Sequence, residues 1–240
     1  IAICFLSEKG FEENITWNNL YEKVCKFSNY LKKLSLKKGD RVAAYVPNKI
    51  ETIISFLACA KNGIIWSSCS PDFGVQGVVD RFKQIEPKVL ITSDYYFYNG
   101  KKINILDKVD EVIKQIPSIE KVIVYNYYKK EKENLKNFID FEDALNIESD
   151  ETFERFEFNH PIYILFSSGT TGKPKCITHG TGNVLIEHNK EFMLHCDIRD
   201  NEKLFYYTTT GWMMWNWLVG GLATGSSIFL FDGAPVYPKI

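Results

Sequence analysis

Apolar and polar positions along the chain follow two periods in turn, one typical of helices and one typical of strands. From Trp17 to Leu34 apolar residues recur three or four positions apart with Lys and Glu between them, and Thr16 stands where a helix cap is expected. The stretch RVAAYVP (41–47) follows a Gly-Asp turn and has the composition of a strand. After a first strand-like run at 1–6, the pattern therefore predicts a long helix and then a buried strand.

The same alternation continues through residue 125. Asn48 with Glu51 three residues later resembles a capping box, which would begin an apolar helix at 50–63. Further runs predict strands at 64–68, 88–92 and 121–125 and helices at 75–85 and 106–116. Strands separated by helices of about 10–15 residues predict parallel βαβ units. We therefore predict an α/β fold in layers, with mostly parallel sheets flanked by helices.

A charged segment, YNYYKKEKENLKNF (125–138), interrupts this pattern and predicts a solvated surface insertion. The alternation then resumes after Pro161. It predicts strands at 162–166, 175–178, 203–207 and 226–231, and helices near 182–195 and 214–223.

Composition narrows the function classes. The chain has 240 residues, of which 45% are hydrophobic and 25% charged, with a net charge of -1. This charge balance argues against a nucleic-acid-binding protein or one that binds anionic membranes, and no apolar run is long enough to span a bilayer. Six cysteines without a CxxC pair indicate reduced thiols in the cytoplasm and no zinc site. Because the chain begins with Ile and stops without a closing element, we expect it to be an excerpt of a longer protein.

The segment SSGTTGKPK (167–175) carries the candidate chemistry. It offers hydroxyl groups, flexible backbone and positive charge, from Ser167, Ser168, Gly169, Thr170, Thr171, Gly172, Lys173 and Lys175. Converging N–H groups and lysines suit a polyphosphate. The spacing differs from a Walker P-loop, and the following KCIT predicts a strand rather than a helix. The alternative is a flexible surface turn, and in either case we expect a poorly ordered connection between two strands in the absence of nucleotide.

SSGTTGKPK also resembles the phosphate-binding signature of the adenylate-forming enzymes, which include the acyl-CoA synthetases. The segments IIWSSCSPDFG and VVDRFKQIEPKVLIT are similar to the short-chain members, and TTTGWMMWNWLVGGLATGSSIFLFDGAP (208–235) is most similar to the acetoacetate-activating members. The resemblance implies that residues 1–240 are part of the amino-terminal adenylation domain, with the carboxyl-terminal domain lying outside this chain. The late catalytic lysine of the family would also lie beyond residue 240, so no catalytic residue is assigned.

The resemblance further implies a two-step ligase of lipid metabolism that uses ATP, Mg²⁺, coenzyme A and acetoacetate. Residues 167–175 would hold the β- and γ-phosphates of ATP. The acyl pocket would be formed by Gly211, Trp212, Met213 and Met214. Lys101 and Lys102 would meet coenzyme A, although the arginine that acetyl-CoA synthetases place before the adjacent glycine is missing. His179 would be structural, since a carboxylate nucleophile needs no general base.

Other interpretations of the same residues stay open. The methionines are also compatible with a helix core, and the two lysines with an exposed basic turn. An acetyl- or propionyl-CoA ligase is the alternative within the family, in which Thr would be expected at position 214. A P-loop NTPase and a non-catalytic nucleotide-binding module are the alternatives from other classes. The sequence leaves the oligomeric state open.

Overall fold

The computed structural model describes residues 1–128, 138–167 and 172–238. The strands there are β1 (Ile3–Ser7), β2 (Glu12–Ile15), β3 (Arg41–Tyr45), β4 (Ile65–Cys69), β5 (Val89–Ser93), β6 (Tyr95–Tyr98), β7 (Lys101–Asn104), β8 (Lys121–Tyr125), β9 (Ile139–Asp140), β10 (Pro161–Phe166), β11 (Cys176–Gly180), β12 (Lys203–Phe205) and β13 (Ser227–Asp232). The helices are α1 (Trp17–Lys33), α2 (Ile50–Lys61), α3 (Val75–Ile85), α4 (Leu106–Gln115), α5 (Phe141–Ala144), α6 (Thr181–Lys190) and α7 (Met213–Gly220). A π-helical turn at Glu191–His195 continues α6, and a 3₁₀ turn at Gly221–Thr224 continues α7.

Two mostly parallel sheets confirm the predicted fold class. The larger sheet has the order β11-β10-β4-β3-β5-β8-β9, and its neighbouring strands are parallel except for the β10–β11 pair. The smaller sheet has the order β12-β13-β1-β2 and is parallel except for β1–β2. Strands β6 and β7 form a separate hairpin. One continuous apolar core joins residues of both larger sheets.

Helix α1 forms where its apolar spacing predicts it. Thr16 caps the helix by accepting a hydrogen bond from the N–H of Asn19 at 3.2 Å. The face turned to the core carries Leu20, Phe27 and Leu31, all of them buried. Lys32 and Lys33 lie in the last turn, where positive charge is favourable.

The predicted capping box at Asn48 is wrong. The helix α2 begins at Ile50 as predicted, but Lys49 occupies the cap position and no side chain caps the helix. The Asn48 amide instead accepts a hydrogen bond from Trp215 Nε1 at 2.9 Å and donates one to the carbonyl oxygen of Phe231 at 3.3 Å. The Asn48 side chain therefore bonds to distant residues and not to the end of α2. These bonds connect the start of α2 to α7 and β13.

The segment predicted as a surface insertion begins inside the core. Tyr125 and Tyr127 are 2% and 0% exposed, so the prediction is wrong for these residues, while residues 129–137 lie outside the described ranges. The short strands β2, β6 and β7 were also missed, since their sequences show no clear alternation. Among the described residues, no helix has the length and apolar character needed to cross a membrane.

Candidate active site

The SSGTTGKPK segment connects two strands, as predicted, and the structure shows that these strands are antiparallel. Phe166 at the end of β10 pairs with Cys176 at the start of β11. The N–H of Ser167 donates to the carbonyl oxygen of Lys175 at 3.0 Å, and the N–H of Lys175 donates to Ser167 Oγ at 3.2 Å. These reciprocal bonds close the mouth of the loop. Ser168, Gly169, Thr170 and Thr171 lie outside the described residues, so the expected poor order of the loop stays a prediction.

The carboxyl side of this loop is exposed and anchored to a helix. Gly172 has a φ of 103°, a backbone conformation that favours glycine. Apart from its neighbours in the chain, no described residue has an atom within 4 Å of where a Cβ of Gly172 would stand. Lys173 and Lys175 are exposed. Gln84 of α3 donates from Nε2 to the carbonyl oxygen of Pro174 at 2.9 Å. The backbone is therefore fixed from one side, while both lysine side chains reach solvent, where they can meet an anion.

A cavity of about 260 Å³ opens where strands of both larger sheets end. Its lining includes Asn48 after β3, Ser70 after β4 and Asp232 at the end of β13. Thr210 donates from Oγ1 to the carbonyl oxygen of Val46 at 2.7 Å, which fastens the segment before α7 to this edge. In open α/β sheets the carboxyl ends of the strands are where ligands bind. We call this space the strand-end cavity.

Asp232 is the buried charge of the strand-end cavity. Its carboxylate accepts hydrogen bonds from the Tyr127 hydroxyl at 2.8 Å and from the N–H of Asn48 at 3.1 Å. Loss of hydration nevertheless dominates and raises the pKa of Asp232 to about 6. Asp232 is not predictable from the sequence, because a single aspartate at a strand end carries no motif.

The two lysines expected at coenzyme A lie on β7 and are exposed. The ammonium of Lys102 lies 3.7 Å from the centre of the Tyr95 ring. In the preceding turn, the N–H groups of Asn99 and Gly100 donate to the Glu8 carboxylate at 2.9 and 2.7 Å. Glu8 already accepts hydrogen bonds from these two backbone N–H groups. A phosphate that binds at this hairpin would therefore contact the side chains of Lys101 and Lys102.

The four residues expected at the acyl pocket differ in their surroundings. Gly211 lies close to other chain segments, since a Cβ there would stand 3.0 Å from the Phe73 ring. Trp212 is 62% exposed and Met214 is half-buried. Met213 lines a cavity of about 540 Å³, which we call the Met213 cavity.

Two histidines and a tyrosine share the Met213 cavity, namely His179, His188 and Tyr163. The rings of Tyr163 and His179 lie 4.9 Å apart, and burial lowers the pKa of His179. His188 is not among the site residues predicted from the sequence. The helical spacing of Val184, His188 and Phe192 nevertheless indicates that His188 faces inward. The cavity thus joins an apolar wall to hydrogen-bonding side chains, and Glu187 also lines it.

Trp215 and Trp217 lie in or beside the core. Trp215 is fully buried, with its ring stacked 6.3 Å from that of Trp66. Trp217 is half-buried against Phe192, with ring centres 4.6 Å apart. The burial of Trp215 orients α7, and Met213, two residues earlier, lies on a different side of the helix, at the cavity.

Comparison with known proteins places the chain in a family. The model of the family described as AMP-binding enzyme matches residues 1–239. The chain belongs to this family. The β10–β11 hairpin, the strand-end cavity and the Met213 cavity all lie within the matched residues.

The similar proteins include several CoA synthetases. The chain is 46% identical over 241 residues to acetoacetyl-coenzyme A synthetase of Rhizobium meliloti, covering 99% of this chain and 37% of the relative. It is 43% identical over 246 residues to acetoacetyl-CoA synthetase of Gallus gallus, covering 98% of this chain and 37% of the relative. It is 41% identical over 249 residues to a malonamoyl-CoA synthetase of Penicillium aethiopicum, covering 99% of this chain and 34% of the relative.

A solved structure agrees in fold over the same length. Acetoacetyl-CoA synthetase from Streptomyces lividans matches with a TM-score of 0.95 at 40% identity, covering 99% of this chain and 36% of that chain. The chain therefore spans little more than a third of the length of these relatives.

Proposed function

We propose that this chain is part of the adenylation domain of an ATP-dependent acyl-CoA synthetase that converts acetoacetate to acetoacetyl-CoA. The observation that carries the proposal is the β10–β11 hairpin, whose SSGTTGKPK loop is closed by Ser167 and Lys175. Family membership and the acetoacetyl-CoA synthetases among the relatives support it.

The proposed reaction has two displacement steps. A carboxylate oxygen of the acid attacks the α-phosphorus of ATP, the bond to the bridging oxygen breaks, and pyrophosphate leaves. The sulfur of coenzyme A then attacks the carbonyl carbon of the acyl-adenylate, its proton is lost, and AMP leaves with the electrons of the broken C–O bond. Neither step needs an oxidant. Both depend on positioning the reactants and neutralising phosphate charge.

The described residues suit separate parts of this reaction. Lys173 and Lys175 are proposed to neutralise the departing pyrophosphate, and their exposure beside the loop supports this role. Met213 supplies an adaptable apolar wall for the acid. Lys101 and Lys102 are proposed to contact phosphates of coenzyme A as point charges.

Magnesium is proposed to enter with the phosphates of ATP. Among the described residues, no group of three or more His, Cys, Asp or Glu side chains converges into a metal site. Mg²⁺ commonly keeps several waters and binds through substrate phosphates with one or two carboxylates. Its contribution when bound would be to neutralise charge on the phosphate oxygens.

The acid is proposed to carry a second carbonyl group at its third carbon. Acetoacetate and malonamate, the acids named in two kinds of relatives, share this feature. The second candidate is acetate or propionate. Met214 argues against it, since the acetyl-CoA synthetases were expected to have Thr at this position.

A cytoplasmic location is also proposed. All six cysteines are free thiols, three of them buried, which suits a reducing compartment.

The test is an acid panel on the full-length protein. Acetoacetate, malonamate, acetate, propionate and butyrate are compared in pyrophosphate–ATP exchange without coenzyme A and in AMP release with it. We expect acid-dependent exchange, highest with the first two acids, and AMP rather than ADP as product. Exchange independent of any acid, or ADP as the product, would contradict the proposal.

A further inference from the structure

An apolar cavity of about 350 Å³ lies between α6 and α7, next to the Met213 cavity. Tyr163, Val184 and His188 line both spaces, so the two are adjacent. Most of the lining of this α6–α7 cavity is aliphatic or aromatic, including Ile162, Leu185 and Val219. A few convergent polar groups in such surroundings are what fixes the orientation of a small ligand.

His188 is the first of these polar groups. The residue is 7% exposed, and its ring packs against that of Phe192 with ring centres 6.2 Å apart. Desolvation lowers the pKa of His188, so its ring is neutral at neutral pH and carries one N–H donor and one acceptor. A Cβ at Gly220 would stand 2.3 Å from His188 Nδ1, so the α7 backbone lies directly against the ring and fixes its position.

Asn216 is the second polar group, and it reaches the same cavity from α7. The residue is 2% exposed, and neither Nδ2 nor Oδ1 has a hydrogen-bond partner among the described residues. A buried amide without partners is costly in free energy unless something else satisfies it. Asn216 follows Met213 by three residues, which places the two nearly above one another along one side of α7.

We propose that the α6–α7 cavity receives the far end of the acid substrate, and that His188 and Asn216 select acids with a carbonyl oxygen at the third carbon. This inference rests on the proposed function. A ketone or amide oxygen only accepts hydrogen bonds, and His188 and Asn216 supply N–H donors. The terminal methyl or amide group would then lie among the aliphatic side chains. A saturated acid of the same length would leave the buried amide of Asn216 without a partner and the His188 N–H without an acceptor on the acid, and a site built around donors rejects such an analogue.

The experiment compares acetoacetate with butyrate, which has a methylene in place of the ketone. Catalytic efficiency, kcat/KM, is measured for both acids in the full-length protein and in His188→Leu, His188→Gln and Asn216→Leu. We expect the parent to prefer acetoacetate. In His188→Leu and Asn216→Leu this preference should fall by roughly tenfold to a hundredfold, because the loss is confined to the acid that has the carbonyl. His188→Gln restores an N–H donor and should keep part of the preference.

His195→Leu is the matched control, because His195 is an exposed histidine just beyond the same helix. It should retain the parent's preference. A parent preference that persists in both His188→Leu and Asn216→Leu would overturn the inference and leave the proposed function standing. A full-length parent that consumes ATP with neither acid would overturn both. Since the readout is a ratio within one variant, a partly unfolded preparation lowers both rates and does not imitate the expected result.

Discussion

At the scale of single residues, Asp232 shows how burial and hydrogen bonding compete over one carboxylate. Two donors, Tyr127 and the N–H of Asn48, favour its charged form. Burial disfavours that form more strongly and raises the pKa from 3.8 to about 6. Near neutral pH the folded protein therefore holds a charge that costs free energy, at the rim of the strand-end cavity.

This predicts a pH-dependent effect of Asp232→Asn. A carboxyl whose pKa is higher in the folded state adds stability below its unfolded pKa and loses that contribution as the pH rises through the folded value of about 6. Between about pH 4 and pH 7, the stability of the parent should therefore fall relative to that of the variant by roughly 2 kcal/mol. Urea unfolding of both proteins across this range measures the difference. A stability difference between parent and variant that stays constant with pH would show that the carboxylate titrates alike in the folded and unfolded states. The matched control is Asp72→Asn, since Asp72 is an exposed carboxylate at the same cavity.

At the scale of elements, the groups of the β10–β11 hairpin that hold the loop in place differ from those that can contact a ligand. The main chain of Lys175 bonds to the N–H and the hydroxyl of Ser167 and so closes the loop, and Gln84 anchors it at Pro174. The lysine side chains take no part in these bonds and are exposed. Substituting a lysine side chain should therefore change ligand contacts more than the hairpin itself.

Lys175→Ala tests this separation. We expect its pyrophosphate–ATP exchange to fall by about ten- to a hundredfold, because charge-assisted bonds contribute roughly 1.5–3 kcal/mol. The unfolding free energy should change by less than about 0.5 kcal/mol, as is usual for an exposed side chain. Lys203→Ala, which removes an exposed lysine from β12, is the control. Equal exchange in Lys175→Ala and the parent would refute a role in phosphate binding.

Helix α7 gives a prediction about the acid. Replacing Met213 with Trp should narrow the cavity that this residue lines. Acetoacetate should then lose catalytic efficiency more than the smaller acetate, by roughly tenfold to a few hundredfold, as is typical of misfits in apolar pockets. Met193→Trp, at a methionine that is 58% exposed, controls for the added ring. Equal losses for the two acids would show that Met213 does not contact the acid.

The elements differ in how far the sequence predicts them. Helix α1 is predictable because its helical apolar spacing extends over many residues. Strands β3, β4 and β5 are predictable because they are short runs between clear turn and helix signals. The hairpin β6–β7 is not, because all four residues of β6 are aromatic and show no alternation of apolar and polar positions. The cap of α2 was mispredicted because Asn48 bonds to Trp215, a partner 167 residues away. Local patterns carry no information about such a partner.

At the scale of the whole molecule, part of the candidate site could be predicted from the sequence and part could not. The phosphate loop is contiguous, so its residue types and the strands around it were predictable. The strand-end cavity draws on segments from β3 to β13, and the α6–α7 cavity on segments from α2 to the turn after α7. Both depend on packing that a single sequence does not display. His188 was recognisable as an inward-facing residue, but its proximity to Asn216 follows only from the α6–α7 packing.

The position of β1 has a consequence for how the protein is synthesised. This strand lies between β2 and β13, and Glu8 just after it binds the N–H of Ala234, 226 residues further along the chain. On the ribosome, the larger sheet can acquire β3, β4 and β5 early, whereas one edge of β1 stays without its parallel neighbour until β13 emerges. An uncovered strand edge can pair with the wrong chain. Premature release of the nascent chain before residue 227 would therefore leave an aggregation-prone product, and slow translation would prolong the same exposure.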